Sequence, residues 1–78
     1  MSVLFVQIKC DLGKAYDVAN AIADADIASE IYSTAGDFDL LVKFYVPPDE
    51  DPGRFVTGVV QTVGGIRDTR TIVTFKAF

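Results

Sequence analysis

The run Tyr32-Ser33-Thr34-Ala35-Gly36-Asp37-Phe38-Asp39-Leu40-Leu41-Val42-Lys43-Phe44 constrains this chain more than any other, because it holds a strand, a tight Gly-Asp turn and a second strand. Two apolar, β-favouring stretches around a glycine corner predict a β-hairpin. Gly36 can take the positive φ that such a corner requires. Asp37 and Asp39 put two short carboxylates at the turn, where they can bond backbone amides and shape it, or face a ligand. The spacing alone leaves both roles open.

The rest of the pattern is built around that hairpin. Val3 to Cys10 is dense in β-branched and aromatic residues and ends at the turn Asp11-Leu12-Gly13. From about Lys14 to Asp24, Ala15, Val18, Ala19 and Ile22 recur at the three-and-four spacing of an amphipathic helix. Ile27 to Ala35 and Phe38 to Val46 are the expected hairpin strands, and Pro47-Pro48 stops the second because proline cannot donate to a ladder. Asp51 before Pro52 is a helix cap followed by proline at the first helical position, and Phe55, Val56, Val59, Val60 and Val63 form the next stripe. Gly58 weakens this helix and Gly64-Gly65 stops it; Thr69 to Lys76 is the expected last strand. The order βαββαβ, with a weak repeat of helix, break, isoleucine and strand, predicts an α+β, ferredoxin-like fold. Its four-stranded antiparallel sheet carries both helices on one face.

Alternation along the strands sends Leu4, Val6, Ile8, Leu40, Val42 and Phe44 toward the helices. Val3, Phe5, Leu41, Tyr45, Val73 and Phe75 are then expected on the uncovered side. Six large apolar groups on one small face exceed what a monomer ordinarily exposes, so the sheet is expected to stack on a second copy. Size points the same way. A single domain of 78 residues needs help beyond its core. Cys10 is the only cysteine and histidine is absent, so neither an internal disulfide nor a zinc site can supply it.

Several function classes are disfavoured. No apolar run approaches the roughly 18 residues of a membrane span and no signal peptide is recognisable, which predicts a cytoplasmic protein with a reduced thiol. The net charge of −4, with Lys and Arg scattered, opposes direct contact with nucleic acid. Triad chemistry would use histidine, and Cys10 closes an apolar strand with no base beside it. Asp37 and Asp39 on an open corner should be solvated and ionised rather than tuned for acid–base work. Gly64-Gly65 follows a helix and precedes a strand, the reverse of a phosphate-cradling turn. Asp49-Glu50-Asp51 matches no metal loop and reads as a solvated loop with a cap. The expectation is a protein that is not an enzyme and holds no cofactor.

Two separated stretches in register, Thr34-Ala35-Gly36-Asp37-Phe38-Asp39 and Gly65-Ile66-Arg67-Asp68-Thr69-Arg70-Thr71, resemble the effector-binding (RAM) domain of the Lrp/AsnC regulators across essentially the whole chain. Gly-Gly before Ile66 departs from that family's more usual Pro-Gly. The resemblance implies a stand-alone unit, residues 1–78, without a helix-turn-helix of its own. It implies dimers joined in a ring of eight or ten chains, an amino-acid effector between dimers, and a full-length Lrp/AsnC regulator as a further partner. Carried onto this chain, Gly36, Asp37 and Asp39 would supply backbone amides for a carboxylate and acidic groups for an ammonium. Ser33, Thr34, Gln61, Thr69 and Thr71 would add polar contacts. The alternatives are a small dimeric α/β-barrel-type enzyme and an ACT-type regulatory domain, the latter binding its ligand near Asp11-Leu12-Gly13.

Overall fold

The computed structural model describes residues 2–78 as β1 (Ser2–Cys10), α1 (Ala15–Asp24), β2 (Glu30–Ser33), β3 (Leu40–Val46), α2 (Pro52–Thr62) and β4 (Ile66–Val73). The strands form one antiparallel sheet in the order β2-β3-β1-β4. This is the expected ferredoxin-like α+β arrangement, with β1 at the centre and both helices on one face.

Burial follows the alternation along β1 and β3. Leu4, Val6, Ile8, Leu40, Val42 and Phe44 are each at most 2% exposed. Cys10 and Val46 extend the same rows. From α1, Val18 and Ile22 are wholly buried on this face; from α2, Val56 and Val59 close it, with Val63 at the helix end. Phe44 and Phe55 meet edge to face, with ring centroids 5.3 Å apart. Among the described residues the core holds no polar or charged side chain, so burial of apolar surface holds the layers together without a desolvated side chain to satisfy.

The helices begin differently. At α2 the Asp51 carboxylate accepts from Arg54 N at 3.0 Å and Pro52 occupies the first turn, as the sequence predicts. At α1 the cap is Lys14, whose side chain makes no capping bond; its N–H is held instead by the Asp11 carbonyl at 2.9 Å. Gly65 locks the loop before β4 against this end. Its φ is +91°, its carbonyl accepts from Asp11 N at 2.8 Å, and a Cβ there would lie 3.2 Å from Val18.

Three expectations are corrected. β2 is shorter than Ile27 to Ala35: Asp26 takes a left-handed φ of 55°, and Ile27 and Ala28 pack on the core as irregular chain before pairing starts. β4 runs from Ile66 to Val73 rather than Thr69 to Lys76. A bulge at Lys9/Cys10 lets Ile66 pair with Cys10, and at the other end the ladder runs out near the start of β1. That shift also reassigns a face. Val73 lies opposite Leu4 and therefore on the helix side, whereas Ile72 lies opposite Phe5 on the open side; Phe75 lies beyond the strand. Ile72 and Val73 are both apolar, so only the register with β1 decides between them.

The open face is mixed rather than purely apolar. Glu30 and Lys43 pair across it at 3.3 Å among Val3, Phe5, Leu41, Tyr45 and Ile72. No helix among the described residues is long and apolar enough to cross a membrane.

Phe44→Ala should cost about 3–5 kcal/mol, from lost burial plus a cavity. Urea unfolding reads this directly, and a loss under about 1 kcal/mol would contradict the packing described.

Candidate functional site

The hairpin corner is closed by Thr34 N donating to the Asp39 carbonyl at 2.9 Å and by Thr34 Oγ1 donating to the Phe38 carbonyl at 3.0 Å. Between them Gly36 sits at φ +102°, with nothing within 4 Å of where a Cβ would stand, so backbone conformation alone selects glycine here. The corner is stitched to β1. Asp39 N donates to the Ile8 carbonyl at 2.9 Å, the Asp39 carboxylate accepts from Cys10 N at 2.8 Å, and Lys9 Nζ donates to the Asp37 carbonyl at 3.0 Å.

The two acids therefore have different surroundings. Asp39 is half-buried, and one carboxylate oxygen accepts from the Cys10 backbone amide, which lies past the last regular pair of β1 with β3. It borders a shallow depression with Cys10, Asp11, Leu12, Gly13 and Arg67, in which Arg67 and Asp11 pair at 3.9 Å. Asp37 is exposed, and among the described residues its carboxylate takes no hydrogen bond or ion pair. It borders a separate pocket of about 340 Å³, at the lower end of the range for small-ligand sites.

That second pocket is built by register. Tyr32 faces Leu41, Leu41 faces Gln7 and Gln7 faces Arg70, so one row across all four strands runs beside the corner on the open face. Gln7, Leu41 and Arg70 from this row line the pocket with Thr34, Ala35, Asp37 and Phe38. The Arg70 guanidinium lies over the Phe38 ring, 5.3 Å from its centroid.

The other residues singled out from the sequence do not converge here. Thr69 and Thr71 lie opposite Ile8 and Val6, whose side chains are in the core, so both threonines belong to the helix side of the sheet. Gln61 is exposed near the end of α2, and Ser33, opposite Leu40, is exposed at the end of β2. Gln7 and Arg70 were missed. Each is a lone polar residue in an apolar strand, and only the cross-strand register brings them beside Asp37.

Next in the open face, Tyr32 OH donates to Glu30, and Tyr32 and Lys43 together hold the Glu30 carboxyl below its ordinary pKa. The same contact raises the Tyr32 phenol, while Tyr45 and Glu30 raise the Lys43 ammonium. These charges are spent on one another. The Cys10 thiol is buried, and burial pushes its pKa up, with Asp39 and Asp11 adding to the effect. A thiol held protonated is a poor nucleophile. Among the described residues no group of three His, Cys, Asp or Glu could hold a metal ion.

The chain matches the Lrp/AsnC ligand binding domain over residues 3–78. It belongs to that family. The HTH-type transcriptional regulator FL11 of Pyrococcus abyssi is 31% identical over 72 residues, which are 92% of this chain and 47% of the regulator. The chain thus spans about half the length of the curated relatives it matches. TTHA0845 from Thermus thermophilus superposes with a TM-score of 0.87 at 27% identity, covering 100% of this chain and 98% of that one. The regulator NMB0573 of Neisseria meningitidis, solved as an L-Met complex, shares the fold at 14% identity and a TM-score of 0.79, over 96% of this chain and 50% of that one. The Lrp/AsnC domain is the ligand-binding part of transcriptional regulators, and the corner Thr34 to Asp39 lies within the matched region.

Asp39→Ala should lower stability by about 1.5–3 kcal/mol, because it leaves the Cys10 amide without its charged acceptor. Asp37→Ala should change it by less than about 0.5 kcal/mol. Equal losses in urea unfolding would contradict the division of roles. Cys10 in the folded protein should react with a disulfide reagent far more slowly than in urea; equal rates would contradict its burial.

Proposed function

We propose that this chain is a non-enzymatic effector-binding and assembly module of the Lrp/AsnC type, taking a free amino acid at the hairpin corner. The observation that carries the reading is Asp37: an exposed, unengaged carboxylate on a corner that Asp39 and Lys9 hold rigidly to β1, beside a pocket with apolar and polar walls. An ammonium group is the complement of that carboxylate. A protein of the same fold holds L-Met, which supports the ligand class by analogy of fold alone.

Assembly is the second half of the proposal. The open face offers Val3, Phe5, Leu41, Tyr45 and Ile72 around the Glu30–Lys43 pair, which suits a sheet-on-sheet dimer with an apolar centre. Such dimers would close into the ring of eight or ten chains that the family suggests and would act by joining or modulating a full-length regulator. The net charge of −4 leaves DNA contact to that partner. The ACT-type alternative would use the turn at Asp11-Leu12-Gly13. There Asp11 and Arg67 already pair with each other and Asp39 is bonded to β1, which leaves less for a ligand.

Thermal shift with the twenty L-amino acids should give at least one stabilising ligand, worth about 2.7 kcal/mol at a hundred times its Kd. Asp37→Ala should abolish the shift and keep the oligomer seen by light scattering. A set of twenty with no hit, or an unchanged shift in Asp37→Ala, would overturn the sensor reading; a clean 8.5 kDa monomer would overturn the assembly.

A further inference from the structure

We infer that the segment after β4, residues 74–78, is a clasp of the proposed sheet-on-sheet dimer: the Phe75 ring of each copy enters a groove on the open face of the other. The inference rests on the assembly half of the proposed function, is independent of any ligand, and gives that interface a knob and a socket. The groove, of about 480 Å³, has Val3, Phe5 and Lys43 of the sheet on one side and Phe75, Lys76 and Ala77 on the other. Thr74 roots the segment on β1, because its N–H and its Oγ1 both donate to the Val3 carbonyl, at 3.3 and 2.6 Å.

Three features favour a second copy as the occupant. First, the groove is continuous with the apolar part of the open face: Val3 faces Tyr45 and Phe5 faces Ile72 in the ladders, so stacking two sheets covers the groove as well. Second, Phe75 lines the groove yet is 99% exposed, so its own chain leaves the ring uncovered. Knob and socket thus share one patch, which is the self-complementarity that a two-fold contact requires. Third, the area calls for it. Tyr45 and Ile72 are only 45% and 44% exposed, so much of their apolar surface is already covered within the protomer. The two Phe75 rings add roughly 300–500 Å², a substantial part of the roughly 1,200–2,000 Å² that a stable interface buries.

The test uses the full chain in two experiments. In a dilution series read by light scattering, Phe75→Ser should raise the dimer dissociation constant roughly ten- to a hundredfold, the range for truncating a buried aromatic anchor, and Phe75→Leu should fall between it and wild type. The far-UV circular dichroism of both variants should match wild type, because the ring is exposed in the protomer. In the second experiment benzoylphenylalanine is incorporated in place of Phe75, and isotope-labelled and unlabelled chains are mixed and irradiated. Cross-links should join residue 75 to residues 2–5 in pairs that carry one chain of each kind. Phe75→Ser that dimerises as tightly as wild type overturns the clasp while the dimer stands. So do cross-links confined to single chains, which would mean that the segment folds onto its own groove, and cross-links to a second copy outside residues 2–5. Should Phe75→Ser fail to fold, the cross-link, which keeps an aromatic ring in place, decides. A wild-type protein that stays a monomer at every concentration overturns the assembly reading itself and the clasp with it.

Discussion

The bond from Cys10 N to the Asp39 carboxylate is the contact on which the placement of the hairpin corner depends. The regular pairing of β1 with β3 ends at Ile8 and Leu40, so the Cys10 amide lies beyond the last ladder pair on that side. Asp39 fills that vacancy and, with its own N–H on the Ile8 carbonyl, prolongs the β1–β3 connection past the last regular pair. The corner that follows Ser33 is thereby clamped to the central strand rather than left as a free loop. Gly36 can then hold its left-handed conformation at the tip, and Asp37 is presented outward at a fixed place. A rigid corner limits the ordering that a ligand must impose on binding.

The same clamp explains why two acids two residues apart have unlike parts. Asp39 is consumed by the fold. Asp37 is spared by it, and its main-chain carbonyl, not its carboxylate, is what Lys9 holds. Charges elsewhere are largely paired off: Glu30 with Lys43 and Tyr32 on the open face, and Arg67 with Asp11 beside the turn after β1. Beside the corner the Asp37 carboxylate is left without a hydrogen bond or ion pair among the described residues, and the Lys9 ammonium is held by a main-chain carbonyl alone. That uncompensated charge, in a fold whose described core holds no polar side chain, is the feature on which the proposed small-molecule site rests.

The βαββαβ order, the helix stripes and the buried faces of β1 and β3 were legible in the sequence because each is local. Val18 and Ile22 recur at helical spacing, Leu4, Val6 and Ile8 alternate, and Asp51-Pro52 caps α2 by its own chemistry. β4 was legible only as an existence. Its bounds and its inward face depend on where it bulges against β1 and which residue faces Leu4, and adjacent Ile72 and Val73 give no local signal to choose between them. The site shows the same divide. Gly36 and Asp37 belong to a contiguous motif and could be named from it, whereas Gln7 and Arg70 are far apart in sequence and meet only across the ladder. Thr69 and Thr71 sit in the right strand, yet register turns them to the helix side.

The proposed ligand position, at the hairpin corner beside Asp37, can be seen directly in a crystal structure of the chain grown with the amino acid that most raises its melting temperature. The ammonium should lie within hydrogen-bond reach of the Asp37 carboxylate. Density instead in the depression at Asp11, Leu12 and Gly13, or between the helices and the sheet, would contradict that placement.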